Sequence, residues 1–255
     1  RYKGGIVKAI TFGIQKGGTG KTSISVSVAS QLAIDGKKTL FIDADPQGNA
    51  TGWILKELNH ELADVLFASC QVEEAIHGTS VDNLFILPTA GLGGDLRLYA
   101  ETKASQKPYA IKQLFPKLGA LGFEYVIIDT SPAFSPLERS CFLASDEVIP
   151  VMQIDIFSMD GLSVFSRMIE ELRSDFDTGN PALNSIVLNA RDDRLPQQKT
   201  LLEAYEQKIS LAKYLIPVDQ GFKKSQGAGF FIQEYAKTKR ETLEAIEALT
   251  NAIKF

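Results

Sequence analysis

Short apolar runs bounded by turn residues recur along the chain at Val7–Ile14, Lys38–Ile42, Leu84–Leu87, Tyr125–Ile128, Glu147–Val151, Ser185–Leu188 and Ala212–Ile216. Most are continuous rather than alternating. A strand covered by helices on both faces has no solvent side to alternate toward, so this pattern predicts a buried parallel sheet. The segments between the runs supply the helices, with apolar residues at helical spacing over Thr22–Ile34 and Leu162–Leu172. The expected fold class is α/β, a doubly wound, mainly parallel sheet flanked by helices. No internal repeat, low-complexity tract or linker divides residues 1–255, so a single domain is expected. Near the C-terminus Leu243, Ile246, Leu249 and Ile253 fall on one helical stripe. Glu241, Glu244 and Glu247 on the same helix would be repelled by anionic lipid, so the stripe is expected to pack on the sheet.

The first strand runs into Lys16-Gly17-Gly18-Thr19-Gly20-Lys21-Thr22-Ser23, and a helix opens directly after it. Strand, glycine loop and helix in that order form a phosphate cradle. Glycines let backbone N–H groups converge on phosphate oxygens, and the helix aims its unpaired amides and positive dipole end at the same anion. Lys21 adds a point charge for the β- and γ-phosphates, and Thr22 offers a hydroxyl to Mg²⁺. The strict Walker A pattern fails, because its first glycine would fall at Gln15. What stands here is a variant with an additional lysine, Lys16.

Phosphate loops need acidic partners to hold hydrated Mg²⁺ and to orient water. Two strand ends supply them. Phe41-Ile42-Asp43-Ala44-Asp45-Pro46-Gln47-Gly48 places two aspartates where a buried strand leaves the core, and Tyr125-Val126-Ile127-Ile128-Asp129 has the form of a Walker B element.

Composition changes this picture little. At 44% hydrophobic and 23% charged residues the chain reads as an ordinary globular protein, and no apolar run approaches the ~18 residues of a membrane span. No signal-peptide pattern opens it, so a cytoplasmic location is expected. Cys70 and Cys141 have no metal-ligand spacing and are expected as reduced thiols, and His60 and His77 form no ligand pair. The net charge of −4 argues against uniform coating of nucleic acid, yet residues 191–240 hold ten Lys/Arg against six Asp/Glu.

Together the motifs resemble the ParA/Soj branch of the deviant Walker ATPases, which also includes MinD and the nitrogenase iron protein. The likeness covers nearly the whole chain and is most specific at Asp43-Ala44-Asp45-Pro46-Gln47-Gly48-Asn49-Ala50-Thr51. It continues through Ile127-Ile128-Asp129-Thr130-Ser131-Pro132, Val148-Ile149-Pro150-Val151 and Asp160-Gly161-Leu162. The resemblance implies a P-loop NTPase of the deviant Walker type that binds ATP and Mg²⁺ as a nucleotide-sandwich homodimer. Lys16 would reach the phosphates held by the other subunit. Asp45 would orient the attacking water, while Thr22, Asp43 and Asp129 would hold the Mg²⁺ shell. Asn189, Pro217, Val218 and Asp219 would meet the adenine. Relatives usually follow that last loop with arginines, which are absent here. Lys223 and Lys224, with Lys199, Lys237, Lys239 and Arg240, are the substitutes expected to form a basic edge for non-specific DNA.

The implied activity is ATP hydrolysis, weak without a ParB-like partner carrying a basic peptide, in a nucleoid-associated protein that segregates a plasmid, a chromosome or a protein cargo. The phosphate loop begins close to Arg1, so no helix-turn-helix module is expected before it. The competing readings are a membrane-cycling, MinD-like positioning ATPase and a metabolic or redox enzyme on the same fold. The iron–sulfur form of the latter wants a cysteine close behind the Walker B strand, where Ser131 and Pro132 stand instead.

Overall fold

The computed structural model describes residues 6–254. Its strands are β1 (Lys8–Phe12), β2 (Thr39–Ala44), β3 (His77–Gly78), β4 (Leu84–Leu87), β5 (Tyr125–Thr130), β6 (Glu147–Ile149), β7 (Val151–Gln153), β8 (Ser185–Arg191) and β9 (Ala212–Pro217). The first helices are α1 (Lys21–Ile34), α2 (Asn49–Ile54), α3 (Leu62–Leu66), α4 (Val72–Ala75) and α5 (Leu96–Thr102). They are followed by α6 (Phe115–Ala120), α7 (Pro136–Ala144), α8 (Ile156–Asp175), α9 (Pro196–Lys208), α10 (Gly221–Ala228) and α11 (Arg240–Ile253).

One sheet has the order β3-β4-β2-β5-β1-β6 and a second the order β7-β8-β9. Every pairing is parallel except β3 with β4, a two-residue antiparallel edge too short to leave a periodic signal in the sequence. The expected strand Glu147–Val151 is instead two strands jointed at Pro150. Proline has no N–H to give the ladder. β6 pairs with β1, β7 pairs with β8, and the Pro150 carbonyl accepts the N–H of Val187 at 2.8 Å, so the joint hands the ladder from one sheet to the other.

The continuous apolar strands are explained by two cores. Successive strand residues point to opposite faces. Phe41 and Ile127 join Ile24, Val28 and Leu32 of α1 in one cluster, while their neighbours Ile42 and Ile128 join Leu62, Leu96 and Leu137 in another. All ten are at most 1% exposed. Full burial of each such side chain contributes about 1.5–3 kcal/mol, which is why both faces of these strands must be apolar. The α11 stripe packs as expected, with Ile246, Leu249 and Ile253 buried in the first cluster and the three glutamates exposed. Both cysteines are free, and burial pushes the Cys141 thiol well above its ordinary range.

Candidate active site

The phosphate loop spans the turn from β1 into α1, at the C-terminal ends of the central strands. Gly18 and Gly20 adopt φ values of 72° and 94°, a left-handed conformation that disfavours any side chain. Gly20 has a second reason to lack one, since a Cβ there would collide with the Asn189 amide. Two side chains from neighbouring strand ends brace the loop. Asn189 Nδ2 donates to the Thr19 carbonyl at 2.8 Å and Gln153 Nε2 to the Gly18 carbonyl at 3.1 Å. Lys21 folds back so that Nζ donates to the Lys16 carbonyl at 3.1 Å. Burial holds its ammonium below the usual lysine range, with the Asp129 and Asp45 charges pulling the other way.

Sheet register sets the carboxylates. Asp43 on β2 lies opposite Asp129 on β5, so two chain-distant aspartates become neighbours at the floor of the site. Thr22 Oγ1 donates to Asp129 Oδ2 at 2.6 Å, while Asp129 Oδ1 is buried with no partner among the described residues. A buried carboxylate oxygen left open beside a threonine hydroxyl fits a hydrated Mg²⁺, which keeps several waters and takes one or two carboxylates. Among the described residues no three His, Cys, Asp or Glu side chains gather in metal-binding range, so phosphate and water would complete the shell. Asp45 is 7% exposed and its Oδ1 accepts the Gln47 N–H at 2.9 Å, fixing the turn that carries it.

Burial pushes Asp43 up to about 6, and burial together with the Asp43 charge pushes Asp129 up to about 7. An unfolded chain releases both protons at about pH 4. Between there and neutrality the native state therefore binds more protons, and the stability of the ligand-free protein falls as the pH rises. Thermal unfolding at fixed ionic strength is expected to show a Tm that falls between about pH 4 and about pH 7, and Asp129→Asn to flatten that fall. An Asp129→Asn protein with the wild-type slope would contradict the assignment.

Lys16 lies over the loop with its side chain 40% exposed and pairs with Asp155 at 2.5 Å. Asp155 also caps α8, its Oδ1 accepting the N–H groups of Phe157 and Ser158 at 3.0 Å. Against the upward push of burial, the Lys16 ammonium and these donors hold the Asp155 carboxyl below the usual carboxylate range. The sequence offered no sign of this pair, because an Asp-Ile-Phe-Ser run reads only as a helix cap.

The expected adenine residues are gathered at the ends of β8 and β9. Val218 N–H donates to the Arg191 carbonyl at 2.8 Å, joining the two strand ends beside Pro217. Asp219 is a local brace, accepting from Gly221 N–H at 2.7 Å, Lys239 N–H at 2.9 Å and the Thr242 hydroxyl at 2.8 Å. A cavity of about 290 Å³ opens here between Arg191, Asp193, Pro217, Val218, Lys239 and Glu241. The six cations singled out for DNA are all exposed on α9, α10 and the approach to α11. Arg240 pairs with Glu244 and Lys239 Nζ donates to the Val218 carbonyl, but Lys199, Lys223, Lys224, Lys237 and Lys239 make no ion pair among the described residues.

An AAA domain family model matches residues 7–184. The chain is 31% identical over 217 residues to a virulence plasmid ParA family protein of Chlamydia psittaci, covering 81% of this chain and 80% of that one. The chromosome partitioning protein ParA of Caulobacter vibrioides is 31% identical over 195 residues, 74% of this chain and 71% of its own. The chain belongs to the ParA/MinD/Soj family of deviant Walker A P-loop ATPases. Two solved structures share the fold of this family member. Apo McdA of Cyanothece has a TM-score of 0.85 over 98% of this chain and 100% of that chain, at 19% identity. MinD of Pyrococcus horikoshii, complexed with Mg-ADP, has a TM-score of 0.81 over 98% and 96%, at 23% identity. Three side chains of this ParA/MinD/Soj member went unread in the sequence, Thr51, Thr89 and Asp155. Thr51 stood inside the most specific motif, and the other two carried no local signal.

Proposed function

We propose that the chain is an ATP-dependent dimerising switch of ParA type. In its ATP state it binds DNA non-specifically, and a partner with a basic peptide stimulates hydrolysis, so that a plasmid, chromosome or protein cargo is segregated or positioned. The observation that carries this reading is a phosphate loop with two lysines, Lys16 and Lys21, set beside three strand-end aspartates, Asp43, Asp45 and Asp129. Glycine-loop amides and Lys21 hold the phosphates of the chain's own nucleotide. Thr22 and Asp129 would hold a hydrated Mg²⁺, which would supply positive charge to offset the charge of the phosphates. Asp45 accepts a hydrogen bond from the attacking water and so aligns it. Lys16, released from Asp155, reaches the nucleotide of a second copy.

The DNA-binding part rests on the exposed cations of α9, α10 and the start of α11 with its approach, five of which make no ion pair among the described residues. If about six phosphates are neutralised, affinity falls roughly a thousandfold between about 50 and 200 mM salt. Co-sedimentation of the protein with duplex DNA, with and without ATP–Mg²⁺ over a salt series, tests this. Retention that needs ATP and collapses with salt is expected. Retention indifferent to both would end the reading. The MinD-like alternative is weakened by α11, whose Ile246, Leu249 and Ile253 are buried in the first core cluster rather than turned outward.

A further inference from the structure

Asp43 and Asp129 sit side by side in the sheet, yet their carboxylates are treated in opposite ways. Asp129 keeps one oxygen without a partner among the described residues. Asp43, 0% exposed, has both oxygens engaged inside the chain. Its Oδ2 accepts the backbone N–H and the hydroxyl of Thr51, each at 2.8 Å, and its Oδ1 accepts the N–H of Asp45 at 3.3 Å.

The circuit closes through a second threonine. Thr89 N–H donates to the Thr51 hydroxyl oxygen at 2.9 Å, and the Thr89 hydroxyl donates to the Asp43 carbonyl at 2.6 Å. A threonine hydroxyl has one proton to give and two lone pairs to receive. Thr51 therefore gives its proton to Asp43 and receives one from Thr89, with no freedom to do otherwise. The backbone between these residues is seated equally closely. Gly48 has φ 64°, and a Cβ there would stand 2.7 Å from the Thr89 carbonyl oxygen and 2.8 Å from the Gly91 nitrogen. The turn that carries Asp45 is thus held at both ends, by Asp43 before it and by Thr51 and Gly48 after it.

We infer that Thr51, braced by Thr89, is a positioning residue for hydrolysis: it fixes Asp43 as the pivot from which Asp45 is presented, leaving the cation to Asp129 and Thr22. The inference rests on the reading of Asp45 as the water-orienting group. Asp43 then serves the geometry of the segment rather than the Mg²⁺ shell, because both oxygens of its carboxylate already accept hydrogen bonds from inside the chain. Alignment of a water in a reacting complex is sensitive to shifts of about 1 Å, so loss of one hydroxyl from this circuit acts on turnover and not on phosphate binding.

The fold supplies an optical reporter of the same segment. Trp53, the one tryptophan of the chain, lies two residues beyond Thr51 on α2. Its indole N–H donates to the Phe230 carbonyl at 2.9 Å, so its emission is expected to respond to movement of α2 against the turn that follows α10.

The test is ATP hydrolysis, ATP affinity and Trp53 emission in the wild type, Thr51→Val, Thr51→Ser and Thr89→Val. Valine keeps the shape of threonine and replaces its hydroxyl with a methyl group. Thr51→Val is expected to lower kcat at least about tenfold while the ATP dissociation constant stays within about twofold, and Thr51→Ser to restore most of the loss. The ATP-induced change in Trp53 emission should be reduced in Thr51→Val and recovered in Thr51→Ser. Thr89→Val, which keeps its N–H bond to Thr51, should show a smaller fall in kcat at the same affinity. A Thr51→Val protein with wild-type kcat would overturn the inference. So would parallel loss of kcat and affinity, or a serine variant that fails to rescue. Should Thr51→Val not fold, Thr89→Val decides alone, a lower kcat at unchanged affinity supporting the inference and wild-type kcat overturning it. A wild-type protein that hydrolyses no ATP would sink the functional reading itself, whereas turnover retained in Thr51→Val sinks only this inference.

Discussion

Lys16→Ala is expected to abolish the ATP-dependent dimer while leaving the single chain folded and able to bind nucleotide. Lys16 carries its charge on a partly exposed side chain, and its partner Asp155 lies near the surface as well, at 40% and 31% side-chain exposure. Ion pairs in such settings contribute only about 0–1 kcal/mol, so the substitution should barely change Tm. Asp155 keeps its capping bonds to Phe157 and Ser158 without the lysine. Lys21 is buried on the other side of the loop and remains to hold the chain's own phosphates. What disappears is the cation for a neighbour's phosphates, and an uncompensated cluster of phosphate charge at a two-fold interface opposes closure. Sedimentation with ATP–Mg²⁺ should give dimer for the wild type and monomer for Lys16→Ala. A variant that still dimerises on ATP would remove the role across the interface.

Asp45→Ala is expected to have the opposite effect on the dimer. With nothing to align the water, turnover should fall by about 10²–10⁴, the range that a positioned acid–base group supplies. Phosphate binding by the glycine loop, Lys16 and Lys21 is untouched, so the ATP state accumulates and the dimer outlives that of the wild type. Phosphate release and a sedimentation time course, run on one sample, check both halves. Rapid turnover in both variants would dismiss the trans-lysine and water-aligning roles together.

The two predictions draw on different levels of the molecule. Lys16 and Asp45 were visible in the sequence because phosphate chemistry confines glycines, lysines and aspartates to short, ordered runs. The central strands were visible for a comparable reason, since burial on both faces leaves no polar position in Phe41-Ile42 or Ile127-Ile128. The joint at Pro150 was less legible. Its residues read as one apolar run, and only the change of ladder partner from β1 to β8 divides it. β3 left no pattern because two residues cannot show a period.

Among the site residues, the sequence named the groups and the structure gives their hydrogen-bond partners. Of the residues expected at the adenine, Asn189 donates to the Thr19 carbonyl, and Asp219 bonds to its own loop and to Thr242. Asp43, expected at the cation, accepts hydrogen bonds from Thr51 and Asp45. By itself the sequence determined the phosphate loop, its second lysine, the strand-end aspartates and the layered α/β fold, since each is a local requirement written in adjacent residues. Only the tertiary structure decided which aspartate keeps an open oxygen, which carboxylate restrains Lys16, and how Thr51 and Thr89 meet. Those depend on strand register and on contacts between residues 38 to 139 positions apart, for which neighbouring residues in the chain carry no sign.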